Sequence, residues 1–246
     1  CFHILFSGQT RKDFGFKMKI SKAYLLAYNC SQFCGWTYLM YRLLPYLSIQ
    51  AKSTTFFPAK TPTSLYVELG DHVKLLLTAA ILEIVHAAIS IVRSNPMVCA
   101  MQVVGRLAVF WLPIHFIAAA QTSPGMTIML FAWCLTEMVR YSFYAFNLVN
   151  LNIGVLTWLR YTLFIVLYPM GVIGEMWCYI DALPTLATSK ALRLEMPNAY
   201  NFTFSPYVAT IIILLGYIPG FPPLYFHMFA LRRKVVGGEE KAKKVA

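Results

Sequence analysis

Charge is what this sequence has least of. Only 13% of its 246 residues are charged, against roughly 25% in soluble domains. Acidic residues are the scarcest, 10 against 21 Lys and Arg, while 59% of the chain is hydrophobic. A water-soluble domain of this length has no core large enough to hide so much apolar side chain. Also missing is any Cys-x-x-Cys pair among the six cysteines, so neither a disulfide framework nor a zinc or other metal site is indicated. Cys30, Cys34, Cys99, Cys134 and Cys178 sit within or beside apolar runs, where cysteine behaves as a small hydrophobe. There is no fixed-period repeat. The basic clusters lack interleaved aromatics and any binding motif, which excludes a nucleic-acid partner.

What is present is a series of long apolar segments. A bilayer core takes about 20 apolar residues in a helix, and six windows qualify, roughly 23–44, 73–92, 98–120, 126–149, 155–180 and 207–230. The expected fold class is an all-α polytopic membrane protein of six spans. Short turns separate spans two to five, at Ser94-Asn95-Pro96, Thr122-Ser123-Pro124-Gly125 and Asn150 to Gly154. Longer polar loops cover about 45–72 and 181–206. Arg11, Lys12, Lys17, Lys19 and Lys22 precede the first span, and Arg232, Arg233, Lys234, Lys241, Lys243 and Lys244 follow the last. Positive flanks mark the cytoplasmic side, so both termini are expected there and the two long loops in the lumen. Those loops carry Lys52, Lys60, Lys190 and Arg193 against Glu68, Asp71, Asp181 and Glu195, so the charge rule is weaker inside the chain. The expected layout is a basic segment 1–22, a membrane domain 23–230 and a basic tail 231–246. Met18-Lys19-Ile20-Ser21-Lys22 looks like a natural start, so residues 1–17 are read as upstream sequence that need not be native. The first span is polar and long enough to be retained, unlike a secretory signal.

Ionisable residues inside the spans carry the most information: Glu83, His86, Arg106, His115, Glu137, Arg140, Arg160 and Glu175. Each costs a few kcal/mol or more at mid-bilayer unless it is paired or faces water. The expected topology puts Glu83, His86, Arg106, Glu137, Arg140 and Arg160 in the cytoplasmic half. Three arginines against two glutamates would make a mildly positive funnel that draws in an anionic ligand. The alternative weighs more heavily for the pairs Glu83/His86 and Glu137/Arg140, each three apart on one helix face. Such pairs more often hold helices together than catalyse. His115, alone in span three, reads as a satisfied core histidine.

Span five is different. Tyr168 and Glu175 are seven residues apart, on one face of a straight helix and about 10 Å apart along its axis. Side chains lean toward the helix N-terminus, so Glu175 reaches back toward Tyr168. Pro169 removes a backbone hydrogen bond and bends the helix, and Gly171 and Gly174 leave room for a neighbouring backbone or a ligand. The result is a slot bordered by a phenol and a carboxyl group. An interfacial tyrosine with an edge glutamate is the plainer reading. The proline and glycines favour the slot.

The stretch from Arg160 to Glu175 resembles the signature of the very-long-chain 3-hydroxyacyl-CoA dehydratases, also called protein tyrosine phosphatase-like proteins. So do Leu82 to His86, Trp133 to Tyr144, Pro197 to Asn201, Tyr217-Ile218-Pro219 and Leu224 to Met228, in order along the chain. The resemblance runs from about Tyr24 to Lys234. It implies six spans, cytoplasmic termini and residence in the endoplasmic reticulum membrane. It also implies dehydration of (3R)-3-hydroxyacyl-CoA to trans-2-enoyl-CoA, the third step of fatty-acid elongation. Expected partners are the acyl-CoA, membrane lipid, the elongase condensing enzyme, 3-ketoacyl-CoA reductase and enoyl-CoA reductase. No separate cofactor is expected, because the substrate carries coenzyme A. The family's catalytic pair falls on Tyr168 and Glu175, and its supporting arginine and glycine on Arg160 and Gly171. Arg106, Glu137, Arg140, Glu83 and His86 are expected to be supporting or structural. Two departures are Ser90, where glycine is expected, and Gly105, where serine is expected. The terminal Lys243-Lys244-Val245-Ala246 resembles a dilysine retrieval signal, in agreement with a cytoplasmic tail.

Dehydration needs a base for the C2 proton and an acid for the leaving hydroxide. A carboxylate stripped of water is a strengthened base, and a tyrosine keeps its proton at neutral pH. Glu175 is therefore expected as base and Tyr168 as acid, with the reverse assignment open. Tyr168 lies about 13 residues into its span, roughly 20 Å deep at helical rise, so the pantetheine arm must enter the protein. Cys134 and Arg140 show the Cys-x5-Arg spacing of a phosphatase, but in an apolar helix the backbone N–H groups are already bonded and cannot cradle a phosphate. A transporter would favour inverted repeats or paired broken helices, and none is visible. A non-catalytic scaffold of the elongation machinery is the remaining alternative.

Overall fold

The computed structural model describes residues 11–51, 63–92, 94–189, 193, 196 and 203–245, and these are helical with no β-strand. Helix α1 spans Arg11–Ala51, α2 Thr63–Ala79 and α3 Ile81–Ala88. Helix α4, Pro96–Val109, continues through a π-helical turn at Phe110–Ile114, followed by the short α5, Ala118–Gln121. Then come α6 (Pro124–Leu148), α7 (Gly154–Arg160), α8 (Phe164–Thr188) and α9 (Pro206–Val245).

Local chemistry fixes the ends of these rods. Asn95 accepts the Met97 N–H at 2.9 Å ahead of Pro96, and Ser123 accepts the Gly125 N–H at 3.1 Å ahead of Pro124. Both are side-chain caps with proline in the first turn, where its missing N–H costs nothing. Helix α3 ends with Ile91 N–H on the His86 carbonyl and Ser90 N–H on Ala87. Helix α6 ends the same way, with Leu151 on Phe146 and Asn150 on Asn147. This is the Schellman arrangement, whose pivotal residue is left-handed and usually glycine. Asn150 (φ 59°) and Ser90 (φ 58°) occupy that position. The expected glycine at Ser90 thus has a backbone reason.

The rods alternate in direction. Tyr24 meets His86 while Tyr46 meets Glu68, so α1 runs against α2–α3. Helix α6 lies centrally, against α1 on one side and α8 on the other. A Cβ added at Gly125 would sit 2.5 Å from the Gly174 carbonyl, and one at Gly174 would sit 2.8 Å from the Gly125 carbonyl. Helices α6 and α8 therefore touch backbone to backbone, as small residues allow inside a membrane. A Cβ at Gly171 would meet nothing closer than 3.6 Å, so it is Gly174 that packing requires to be small.

Polarity is inverted relative to a soluble protein. Glu137 is 1% exposed and Arg140 8%, while Val155 is 71% and Val166 66% exposed. Among the described residues, three helical stretches are long and apolar enough to cross a membrane: Pro96–Ile114, Gly154–Thr188 and Pro206–Val235. The other rods carry interior polar groups, such as Asn29 and Gln32 in α1, or are broken, as at Ala80 between α2 and α3.

Several expectations need correction. The loop expected over 45–72 is mostly helix, since α1 continues to Ala51 and α2 begins at Thr63. Span five is not one straight helix. It breaks at residues 161–163, where Thr162 N–H bonds Leu159 and Ile165 N–H bonds Thr162 in tighter, three-residue steps. Pro169 lies inside α8 instead of at the break. Glu83 and His86 do not pair with each other. His86 bonds the Tyr24 hydroxyl at 2.9 Å and packs between the Tyr24 and Tyr28 rings. His115 is bonded by Tyr66 at 2.7 Å, so it is satisfied as expected, but it is half-buried and not a core residue. Lys52, Lys60, Lys190, Glu195 and the Pro197–Asn201 motif lie outside the described residues.

Left-handed backbone costs an L-residue about 1 kcal/mol. Ser90→Gly is therefore expected to raise the thermal midpoint of the detergent-solubilised protein by about 2 °C. An unchanged midpoint would mean that the serine sits there without cost.

Candidate active site

Two polar assemblies lie within the helices. The first is a network of ion pairs. Arg140 of α6 donates from both terminal nitrogens to Glu83 of α3, at 2.7 and 2.9 Å, and from Nε to Glu137 at 2.7 Å. Glu137 also takes the guanidinium of Arg106 from α4. Tyr141 donates to Glu83, and the Tyr28 hydroxyl of α1 lies 3.3 Å from the same oxygen. Two cations meet two anions, so the formal charges cancel, as buried charges must. Arg160, at the end of α7, makes no ion pair among the described residues; its guanidinium lies 6.0 Å from the Tyr144 ring centroid, which Arg140 approaches at 5.9 Å. The three arginines therefore do not line one open funnel. Arg106 and Arg140 are consumed by pairing, and Glu137 is shut off from solvent.

The second assembly lies along the seam between α8 and α9. Helix α9 presents Tyr217, Phe221, Tyr225 and Phe229 at four-residue steps, one face of a helix. Tyr168 stacks nearly parallel on Phe221, with centroids 5.2 Å apart at 12°, and beside Tyr225 at 6.1 Å. One turn earlier, Phe164 meets Tyr225 and Phe229 edge-on. At the other end of the stripe, Glu175 accepts the Tyr217 hydroxyl at 2.7 Å and the Trp133 indole N–H of α6 at 2.9 Å. Tyr168 and Glu175 thus open onto one seam. Among the described residues no hydrogen bond joins them, and none engages the Tyr168 hydroxyl.

Pro169 explains part of this arrangement. It has no N–H to give to the carbonyl four residues back, that of Ile165. The Tyr225 hydroxyl takes that carbonyl at 2.9 Å. The unmet backbone acceptor of α8 therefore anchors the aromatic ring that stands beside Tyr168.

Of the site residues expected from sequence, Glu83, Arg106, Glu137 and Arg140 form one network, with His86 adjoining through Tyr24 and Tyr28. Tyr168, Gly171 and Glu175 lie on α8, and Gly171 packs near Ala132 and Trp133. Arg160 adjoins the network only through the Tyr144 ring, which it shares with Arg140. Trp133, Tyr217 and Tyr225 were not singled out individually in the sequence. The aromatic spacing on α9 signals its stripe, but nothing local signals that Trp133 faces Glu175.

The fold and the buried ion pairs define an all-helical protein with membrane-spanning helices and a polar interior. A family profile described as protein tyrosine phosphatase-like protein, PTPLA, matches residues 77–238, and the chain belongs to this family. It is 38% identical over 225 residues to very-long-chain (3R)-3-hydroxyacyl-CoA dehydratase 2 of Homo sapiens, covering 92% of this chain and 85% of that one. It is 41% identical over 223 residues to very-long-chain (3R)-3-hydroxyacyl-CoA dehydratase hpo-8 of Caenorhabditis elegans, covering 90% of this chain and 98% of that one. With the Arabidopsis thaliana protein PASTICCINO 2, also described as such a dehydratase, identity is 31% over 228 residues, covering 92% and 99%. No solved structure matches. The phosphatase-like spacing forms no phosphate loop, since Cys134 is buried in the continuous helix α6 and Arg140 is bonded to Glu83 and Glu137.

Removing the Tyr225 hydroxyl leaves the Ile165 carbonyl unmet, so Tyr225→Phe is expected to cost about 1 kcal/mol. In a Pro169→Ala background the restored N–H serves that carbonyl, and the same change should cost much less. A double-mutant cycle on thermal stability reads this coupling, and additive effects would contradict it.

Proposed function

We propose that this protein removes water from long- and very-long-chain (3R)-3-hydroxyacyl-CoA to give trans-2-enoyl-CoA, as a hydro-lyase of the fatty-acid elongation cycle. The observation that carries the reading is the α8–α9 seam, where a carboxylate already receiving two hydrogen bonds and an unengaged phenol share one face. The activity agrees with the names of the human, nematode and plant relatives.

Glu175 accepts from both of its donors, the role of an ionised carboxylate, and so serves as the base. It takes the C2 proton of the bound thioester. The electron pair of that C–H bond forms the C2–C3 double bond, and the C3–O bond breaks. Tyr168 gives its phenolic proton to the departing oxygen, which leaves as water. Return of the proton from Glu175 to the Tyr168 phenolate restores the starting state. Arg160, the arginine free of the buried network, stands at the end from which the anionic coenzyme A approaches, and lipid-facing helices accommodate the acyl chain. Gly171 keeps the α8 face low beside Trp133.

Six spans, cytoplasmic termini and residence in the endoplasmic reticulum membrane complete the proposal. The alternating rods and the basic ends of the sequence support them. The condensing enzyme, 3-ketoacyl-CoA reductase and enoyl-CoA reductase of elongation are the proposed partners, since the reductive steps supply its substrate and consume its product.

The activity is tested in membranes lacking endogenous dehydratase, supplied with long-chain (3R)-3-hydroxyacyl-CoA. Wild type is expected to form trans-2-enoyl-CoA, and Tyr168→Phe and Glu175→Gln to lose at least a hundredfold in rate at matched protein levels. Wild-type turnover surviving both changes would move the site elsewhere. For topology, an N-glycosylation acceptor placed between Thr188 and Pro206 is expected to be glycosylated, whereas one appended to the tail is not. The opposite pattern would invert the orientation.

A further inference from the structure

We infer that Trp133 and Tyr217 are the positioning residues of the reaction: together they hold the Glu175 carboxylate in the plane from which it takes the C2 proton. This rests on the assignment of Glu175 as the base. Each carboxylate oxygen carries one protein hydrogen bond, Oε1 from the Trp133 indole at 2.9 Å and Oε2 from the Tyr217 hydroxyl at 2.7 Å. A carboxylate has about four lone-pair sites, so each oxygen keeps one direction open for a substrate proton. The two donors come from different helices, α6 and α9, which flank α8. Rotation of the carboxylate would break both bonds, so its orientation is set by tertiary packing and not by its own side-chain torsions.

The chemistry of the donors suits this role. An indole N–H only donates and carries no transferable proton at neutral pH, so Trp133 acts on Glu175 without competing for the substrate's hydrogen. Both donors are neutral. Among the described residues no cation is bonded to Glu175, and the interior arginines Arg106 and Arg140 are bonded to Glu137 and Glu83. Glu175 is therefore held in place while its charge stays unpaired and available to the substrate proton. Both donors also favour the ionised carboxylate. Once Glu175 has taken a proton, the indole faces an acceptor of weakened charge, which promotes passing that proton onward. Tyr217 is distinct from Tyr168: its hydroxyl is spent on Glu175, one end of the aromatic stripe, while that of Tyr168 is clear to meet the substrate.

The test uses the full-length protein in membranes, with Tyr217→Phe and Trp133→Phe assayed on long-chain (3R)-3-hydroxyacyl-CoA beside Glu175→Gln. Misoriented base should lower kcat about tenfold in each variant with KM within about twofold of wild type, because the substrate contacts remain. Thermal midpoints in detergent identify a variant that has not folded. If Trp133→Phe is such a variant, the near-isosteric Tyr217→Phe decides alone. Wild-type kcat in a folded variant overturns the inference, as does a raised KM with unchanged kcat, which would make these residues substrate contacts. An active Glu175→Gln would instead remove the base assignment itself, so the two failures are told apart.

Discussion

Much of this molecule hangs on the guanidinium of Arg140. In a medium without water, a charge must find its partner inside the protein, and Arg140 finds Glu83 on α3 and Glu137 on its own helix, while Glu137 in turn holds Arg106 on α4. Tyr28 brings α1 to the same point. Helix α6 is thereby tied to three neighbours through one set of bonds. The same helix carries Trp133 and the Gly125 contact to α8, so the place of α8 follows from the place of α6. Breaking such a network strands charge, which is why it is a strong constraint even though forming it gains little net energy.

A second division of labour follows. Within the network arginines and glutamates are equal in formal number, and they neutralise one another. Glu175 is excluded from that pairing and meets only neutral donors. One set of buried charges therefore serves architecture, and one carboxylate is left with unpaired charge beside a phenol. The same separation explains why a Cys-x5-Arg spacing has no phosphatase chemistry here. Its arginine is a structural cation, and its cysteine is packed in a helix whose backbone is fully bonded.

Prolines act in this protein through the acceptors they release. Pro169 leaves the Ile165 carbonyl without its helical donor, and Tyr225 of the neighbouring helix supplies one. A local defect in α8 thus becomes a contact that sets the register of α9, aligning Tyr217 with Glu175 and Phe221 with Tyr168. The helical break itself falls at 161–163, just before the stretch where the proline ring crowds the preceding turn. Span five is consequently two segments, with Arg160 closing the first and the Tyr168–Glu175 face on the second.

The sequence by itself determined the membrane character, the positions of the apolar segments and the turns at Ser94-Asn95-Pro96 and Thr122-Ser123-Pro124-Gly125. These depend on local composition and on residues within a turn of one another. The family motifs also drew attention to Tyr168 and Glu175. Which charges pair was only half legible. Glu137 with Arg140 follows from three-residue spacing, but Glu83 turned to Arg140 and His86 to Tyr24, because partners across helices depend on how rods are rotated and shifted. The same holds for the helix lengths around 45–72, where polar composition suggested loop and α1 and α2 persist. Trp133 and Tyr217 were decided by tertiary structure alone. They lie forty-two residues on either side of Glu175, and only the packing of α6 and α9 against α8 brings their donors to its two oxygens.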